Sequence, residues 1–295
     1  MAKRKQQQQG GLLGCFVVVF LLLAIFGRGG GNSHDDAKSS HEVRTEQTVK
    51  KPKKSKEQKQ DQKQDQKQAA PAAATSYGGL AQSSYQQLAA LDYRSGSPVY
   101  IDVNGGKSTL QPSSWQTNKV IYADLDSLNR TSHSNTAFLE QHNVANDSLR
   151  VRQYIEPTGW HSNHRGREIY NRGHLIAYSI SAGIDQDGSY NPANRSGDQN
   201  NPKNLFTQTA YANQRVQTIF ESQVRSALRR GCRVIYQATP IFRGQELMAR
   251  GINLQAVATD GSLDFNVYIF NVQPGYVFNY SDGSATADAA MQVAY

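Results

Sequence analysis

Residues 77–295 of this 295-residue chain predict an α+β fold with a mostly antiparallel sheet. Three observations carry that prediction. Residues 208–230 place Ala210, Val216, Ile219, Phe220, Val224 and Leu228 on a broad apolar stripe at helical spacing, which makes this the best helix in the chain. Short runs at 233–238, 253–258, 263–272 and 276–280 follow it, parted by turn residues such as Asp260-Gly261. No internal repeat appears in the region.

Lys3-Arg4-Lys5 precedes the uncharged run 12–26, whose 15 residues fit a signal-peptide core and, with the glycines beside it, a short membrane span. Basic residues on the near side put the N-terminus in the cytoplasm and send the rest across. Residues 1–27 are therefore expected to be an uncleaved, single-pass signal-anchor in the cell membrane, with the following domain extracytoplasmic. Cleavage near Gly27-Arg28-Gly29, giving a secreted form, is the alternative. Residues 28–76 include KKPKKSKEQKQDQKQDQKQ, nearly free of apolar side chains, and are expected to be a disordered Lys/Gln-rich linker. Nearly all of the net charge of +8 sits in residues 1–76, which hold 14 Lys+Arg against 7 Asp+Glu, while the remainder holds 18 against 17. Of those 18 basic residues 15 are Arg, a bias toward the planar fork that grips phosphate or carboxylate oxygens.

Within the domain, 84–91 reads as a short helix and 98–103 as a strand that returns through 108–111 after the Asn104-Gly105-Gly106 turn. A strand is expected at 120–123, a short helix at 136–143 and a half-buried strand at 149–156, where LRVRQYIE alternates. Residues 169–180 are expected to be extended in part. The long helix is taken from Gln208 to Arg230, with Gly231 at its C-terminal stop.

Several chemistries are excluded. The two cysteines, Cys15 and Cys232, cannot make a disulfide scaffold, a four-Cys zinc site or an iron–sulfur cluster. There is no Gly-x-Ser-x-Gly elbow, and Gly106-Lys107-Ser108 lacks the earlier glycine of a P-loop, Ile101 standing in its place. Asp185-x-Asp187-Gly188 has Gly183 and Asn194 where a calcium loop needs acidic ligands, so it reads as a polar turn. His161 and His164 read as loop histidines facing the site. Tyr170-Asn171-Arg172-Gly173-His174 is different: it sets a base that takes a proton near neutrality beside a phosphate clamp. Downstream, Asn204 lies in Asn201-Pro202-Lys203-Asn204, and Asn213 opens the long helix with Glu221 and Arg225 eight and twelve residues on. At 100° per residue these fall about 80° and 120° around from Asn213, so the three face one cleft. An amide oxygen with a carboxylate suits a hydrated Mg²⁺.

In these motifs the chain resembles the DNA/RNA non-specific endonucleases of the ββα-metal type, especially the membrane-anchored DNA-entry nucleases of Gram-positive bacteria. The likeness covers roughly residues 95–280, and includes Pro157-Thr158-Gly159-Trp160 and Asp124-Leu125-Asp126-Ser127-Leu128-Asn129-Arg130. It implies a nuclease domain at 77–295 in which His174 is the general base, Asn213 the metal ligand and Glu221 the holder of metal-bound water. It further implies that Asn204 supports the site and that Arg172 and Arg225 stabilise the phosphate. The family's Asp-Arg-Gly-His motif has Asn171 in its first position here, and a further upstream arginine is open among Arg150, Arg152, Arg165 and Arg167. The expected reaction is Mg²⁺-dependent cleavage of DNA and RNA to 5′-phosphate ends, with Mn²⁺ as a substitute cofactor. The expected partners are the nucleic-acid backbone, the membrane through the N-terminal helix, and an uptake machinery. The alternatives are a secreted scavenging or host-DNA-degrading nuclease, a hydrolase of a wall teichoic polymer, and a surface nucleic-acid-binding module that has lost catalysis.

Overall fold

The computed structural model describes residues 75–295 except Arg165. The expected anchor at 1–27 and nearly all of the expected linker at 28–76 lie outside those residues. Among the described residues no helix is long and apolar enough to cross a membrane.

The chain folds as the α+β class its sequence predicts. After α1 (Gln82–Ala89), strands β1 (Tyr100–Asp102), β2 (Lys119–Ile121) and β3 (Asn135–Leu139) precede the site-bearing hairpin β4 (Tyr170–His174) and β5 (Leu205–Thr209). A π-helical turn (Ala212–Gln217) runs into α2 (Thr218–Arg229), and β6 (Val234–Ile241), β7 (Gly251–Ala258), β8 (Asp264–Phe270), β9 (Tyr276–Asn279) and β10 (Ser284–Ala287) complete it. Six strands form one antiparallel sheet in the order β1-β8-β7-β6-β3-β2. The pairs β4-β5 and β9-β10 stand apart from it as two-stranded ribbons.

The sheet is buried on both faces, which the period-2 alternation of its strands explains. Tyr236, Ala238, Leu254, Ala256, Val267 and Ile269 point to the face that packs on Val216 of the π-helical turn and on Phe220, Val224 and Leu228 of α2. Ile235, Val257 and Phe138 point to the other face, covered by Tyr77, Leu110 and Trp115. Polar residues on that second face tie down the covering arm: Gln237 Oε1 accepts from Leu80 N at 2.9 Å, and Gln255 Oε1 from Thr109 N at 2.9 Å.

Four sequence expectations are corrected. Residues 136–143 are not one helix; 136–139 belong to β3, fully buried between β2 and β6, only 141–143 form a single 3-10 turn, and a short apolar run of this kind reads equally as helix or buried strand. No hairpin returns through 108–111, because β1 pairs with β8 and Leu110 bridges to Gly78 instead. The segment 149–156 alternates but makes no strand, its backbone being bonded by side chains rather than by a neighbouring strand. Gln208 and Thr209 belong to β5, so the long helix starts later than its apolar periodicity indicates. The Asp185–Gly188 turn reading is matched: Asp185 accepts from Asn191 and Asn194, and Asp187 from Ser189.

Candidate active site

Register with β5 accounts for the glycine of Asn171-Arg172-Gly173-His174. A Cβ on Gly173 would stand 2.2 Å from Oε1 of Gln208. That glutamine is held, its Nε2 donating to Gln217 Oε1 at 2.9 Å. Gln217 in turn donates to the His174 carbonyl at 2.9 Å and to Glu221 Oε1 at 2.8 Å. One buried side chain from the π-helical turn thus joins the end of β4 to the first turn of α2. Turns of this wide type are frequent at functional sites.

Arg172, His174, Asn213, Glu221 and Arg225 line one cleft of about 490 Å³. Asn204 does not line it. It is fully buried behind His174, where Oδ1 accepts from Ile176 N at 2.8 Å, Nδ2 donates to Ile176 O at 3.0 Å, and its carbonyl accepts from Leu175 N. Its side chain therefore fixes the backbone turn immediately after the histidine. His161 bonds the Asp282 carbonyl against Tyr170, and neither it nor His164 lines the cleft.

The His174 ring is buried, with Nε2 3.2 Å from the Gln199 carbonyl. That oxygen can only accept, so Nε2 carries the proton and Nδ1 keeps a lone pair. The amide nitrogen of Gln153 lies 3.3 Å from Nδ1 and 3.0 Å from Nε2, close to both ring nitrogens and along the lone-pair axis of neither. Burial pushes the pKa of His174 down to about 4, against the pull of the Gln199 carbonyl and with help from Arg150. The imidazole is neutral at neutral pH, which is the form a base needs. Burial pushes the Glu221 carboxyl up, opposed by Gln217, Arg225 and Arg150.

Asn213 is presented by a chain of amides. In the orientation that matches every donor to an acceptor, Asn171 Oδ1 accepts from Asn213 Nδ2 and Gln214 Nε2, both at 2.9 Å, and Asn171 Nδ2 donates to Glu168 Oε1 at 2.7 Å. Asn213 Nδ2 is occupied, and none of the described residues donates to Asn213 Oδ1. A free amide oxygen and a buried carboxylate in one cleft form a hard-oxygen donor set, which fits Mg²⁺ or Mn²⁺ keeping most of its water. Among the described residues no group of three or more His, Cys, Asp or Glu gathers to offer a softer site.

Three arginines line the same cleft, Arg150, Arg172 and Arg225. Arg172 stacks on Trp160 at 4.1 Å and its Nε donates to the Ile155 carbonyl. Gly159 lets the tryptophan approach, since it sits at φ 68° with a Cβ position 2.9 Å from the Leu247 carbonyl. Arg225 is oriented by Ser179 and Ser222. Of the four upstream candidates, Arg150 lines the cleft and Arg152 and Arg167 do not; Arg165 is outside the described residues. The 124–130 motif lies elsewhere: Asp126 collects Leu128, Arg130 and Ser132, and Arg130 ties down the Gly244 and Glu246 carbonyls.

Gln153, Glu168, Gln199 and Gln217 escaped the sequence reading. Gln217 alone carried a signal, its i,i+4 spacing to Glu221 on the helix. The segment 149–156 is strapped over the histidine by Gln199, whose Oε1 accepts from Val151 N at 2.8 Å and whose Nε2 donates to the Leu149 carbonyl at 3.0 Å. Asn200 adds bonds to Tyr154 N and the Arg152 carbonyl.

Residues 53–274 match the model of the DNA/RNA non-specific endonuclease family. The fold is similar to the crystal structure of NucA from Streptococcus agalactiae with magnesium ion bound, at 27% identity and a TM-score of 0.56 over 70% of this chain and 98% of that one. The form with no metal bound gives 27% identity and a TM-score of 0.55, over 70% of this chain and 96% of that one. A deoxyribonuclease of Streptococcus dysgalactiae subsp. equisimilis is 34% identical over 56 residues, which are 19% of this chain and 17% of that enzyme's length.

Proposed function

The chain belongs to the DNA/RNA non-specific endonuclease family, and from that premise we propose that it hydrolyses phosphodiester bonds of DNA and RNA without sequence preference, using Mg²⁺ or Mn²⁺. The observation that carries the reading is one cleft holding a neutral buried histidine, a free asparagine oxygen and three arginines. Nδ1 of His174 takes a proton from the attacking water while the Gln199 carbonyl holds the ring through Nε2–H. The water oxygen bonds to phosphorus, the bond to the 3′ oxygen breaks, and a 5′-phosphate end remains. Arg150, Arg172 and Arg225 meet the phosphoryl oxygens, contacts that grip the backbone and carry no base information. Asn213, by its amide oxygen, and Glu221, through hydration water, would hold the cation. When bound, the divalent cation neutralises charge that develops on the phosphoryl and leaving oxygens. With the Gln153 amide only 3.3 Å from Nδ1, the strap that carries it would give way as water and substrate enter beside that nitrogen.

The domain acts outside the cell membrane, tethered by residues 1–27 and the 28–76 linker, and cuts incoming DNA for uptake. The basic residues before the apolar run of the N-terminus support this topology. Purified full-length protein should degrade both plasmid DNA and unstructured RNA, stop with EDTA, and leave ends that a 5′-phosphate-dependent exonuclease digests. Products that resist that exonuclease until phosphorylated would reverse the assignment of the leaving oxygen. Cleavage of a wall teichoic polymer in preference to nucleic acid would reject the substrate class.

A further inference from the structure

We infer that Glu168 is a positioning residue of the metal site, the fixed end of an amide relay that turns the oxygen of Asn213 into the cleft. The inference rests on the metal-dependent reading above and concerns how this chain makes Asn213 a ligand. An asparagine side chain has two nearly isosteric ends, and only one of them binds a cation. Something must therefore decide which way Asn213 faces. The neighbouring amides cannot decide it by themselves, because reversing all of them together preserves every hydrogen bond between them. A carboxylate can, since when ionised it only accepts.

Two acceptor-only groups supply that asymmetry, the Glu168 carboxylate and the Tyr170 carbonyl. Glu168 lines the cleft and accepts from Asn171 Nδ2 at 2.7 Å and from Gln214 Nε2 at 3.0 Å, while the Tyr170 carbonyl accepts from the same Asn171 nitrogen at 2.9 Å. With the Asn171 nitrogen turned to Glu168, its oxygen must face Asn213 and Gln214, which donate to it at 2.9 Å. With the Asn213 nitrogen so engaged, its oxygen is left for the cation. Each bond sets the polarity of the next.

The same geometry explains why position 171 is an asparagine in this chain. An aspartate there would place a carboxylate oxygen about 2.7 Å from Glu168 Oε1, two like charges in contact. A carboxylate at 168 with an amide at 171 thus keeps an acceptor facing Asn213. Moving the charge to position 171 should preserve the relay. In the double variant Glu168→Gln/Asn171→Asp, the introduced glutamine donates to the introduced aspartate, which still accepts from Asn213.

The test is a rescue experiment on the full-length protein, read by Mn²⁺ binding without nucleic acid, from the free-ion electron paramagnetic resonance signal. Glu168→Gln and Asn171→Asp should each weaken Mn²⁺ binding about tenfold or more, in the range usual for groups that orient a ligand. The double variant should recover to within about threefold of wild type, a strong departure from additivity. Glu168→Lys, which can only donate, should weaken binding more than Glu168→Gln. Because Glu168 is exposed, metal-free melting temperatures should stay within about 2 °C across the set. Catalysis at saturating Mn²⁺ should recover in kcat for the double variant with KM for DNA unchanged. The inference is overturned if the double variant binds no better than the weaker single one, or if Glu168→Gln binds as wild type does while Asn213→Ala has lost the ion. Mn²⁺ binding by Asn213→Ala equal to wild type would remove the metal-site reading itself, and the relay with it.

Discussion

Two regions build the cleft, and they hold their side chains by different means. His174, Asn213, Glu221 and Arg225 stand on the β4-β5 hairpin and on the helical run behind it, where backbone hydrogen bonds set every position. Arg150, Gln153 and Glu168 stand on irregular segments, held by the side chains of Gln199, Asn200, Asn171 and Gln214. In the proposed reaction the first region would hold the base and the metal ligand, and the second would supply phosphate contact and orientation. A site built this way would keep His174 and Asn213 fixed while the segment over the histidine gives way to substrate.

The contrast is sharpened first by its largest effect. His174→Ala should lower single-turnover cleavage of plasmid DNA by about 10²–10⁴-fold while DNA affinity, which comes from phosphate contacts, survives. A rate above about a tenth of wild type would take the base out of the rigid region. The histidine also leaves a mark on stability. Its folded pKa of about 4 lies below the ordinary 6.5, so between those values the unfolded chain binds a proton that the native site refuses. Its contribution is therefore full above about pH 6.5 and falls as the pH drops toward 4. Denaturant melts should show that slope in wild type and a shallower one in His174→Ala. Equal slopes would mean that the ring is solvated.

Asn204→Ala addresses the rigid region from behind. Removing the amide leaves the buried N–H and carbonyl of Ile176 without partners, at about 1–3 kcal/mol, so the melting temperature should fall clearly. An unchanged melting temperature would mean that water replaces the amide and the turn after His174 does not depend on it. The smallest effect belongs to the strap. Gln199→Ala should cost about 1 kcal/mol or less per lost bond, yet speed proteolysis within 149–156 by several-fold. Unaltered proteolysis would place the restraint of that segment elsewhere.

The same division governs what could be read from the sequence. The helix stripe and the strand-rich tail were legible because periodicity and spacing record what a backbone ladder imposes, whereas the Asn171–His174 motif stood out by its histidine beside an arginine and by the family resemblance. Asn213, Glu221 and Arg225 were legible together since they share one helical run, although the π-helical turn changes their angular spacing. The residues 149–156 were misread because alternation shows a half-buried segment and cannot show whether a strand or a pair of side chains bonds it. Residues 136–139 were misread because a strand buried on both faces has no alternation left to detect. Glu168 had no signal at all: its role lies in which end of a neighbouring amide faces it.

The rate of plasmid nicking against Mg²⁺ concentration, for wild type and Asn213→Ala, is the most direct test of a histidine base paired with an asparagine-held cation. Wild type should be inactive after EDTA and regain full rate with Mg²⁺. Asn213→Ala should keep its melting temperature and need at least about tenfold more Mg²⁺ for a lower maximum. Cleavage by wild type that persists in EDTA, or coincident Mg²⁺ curves for the two proteins, would contradict the account.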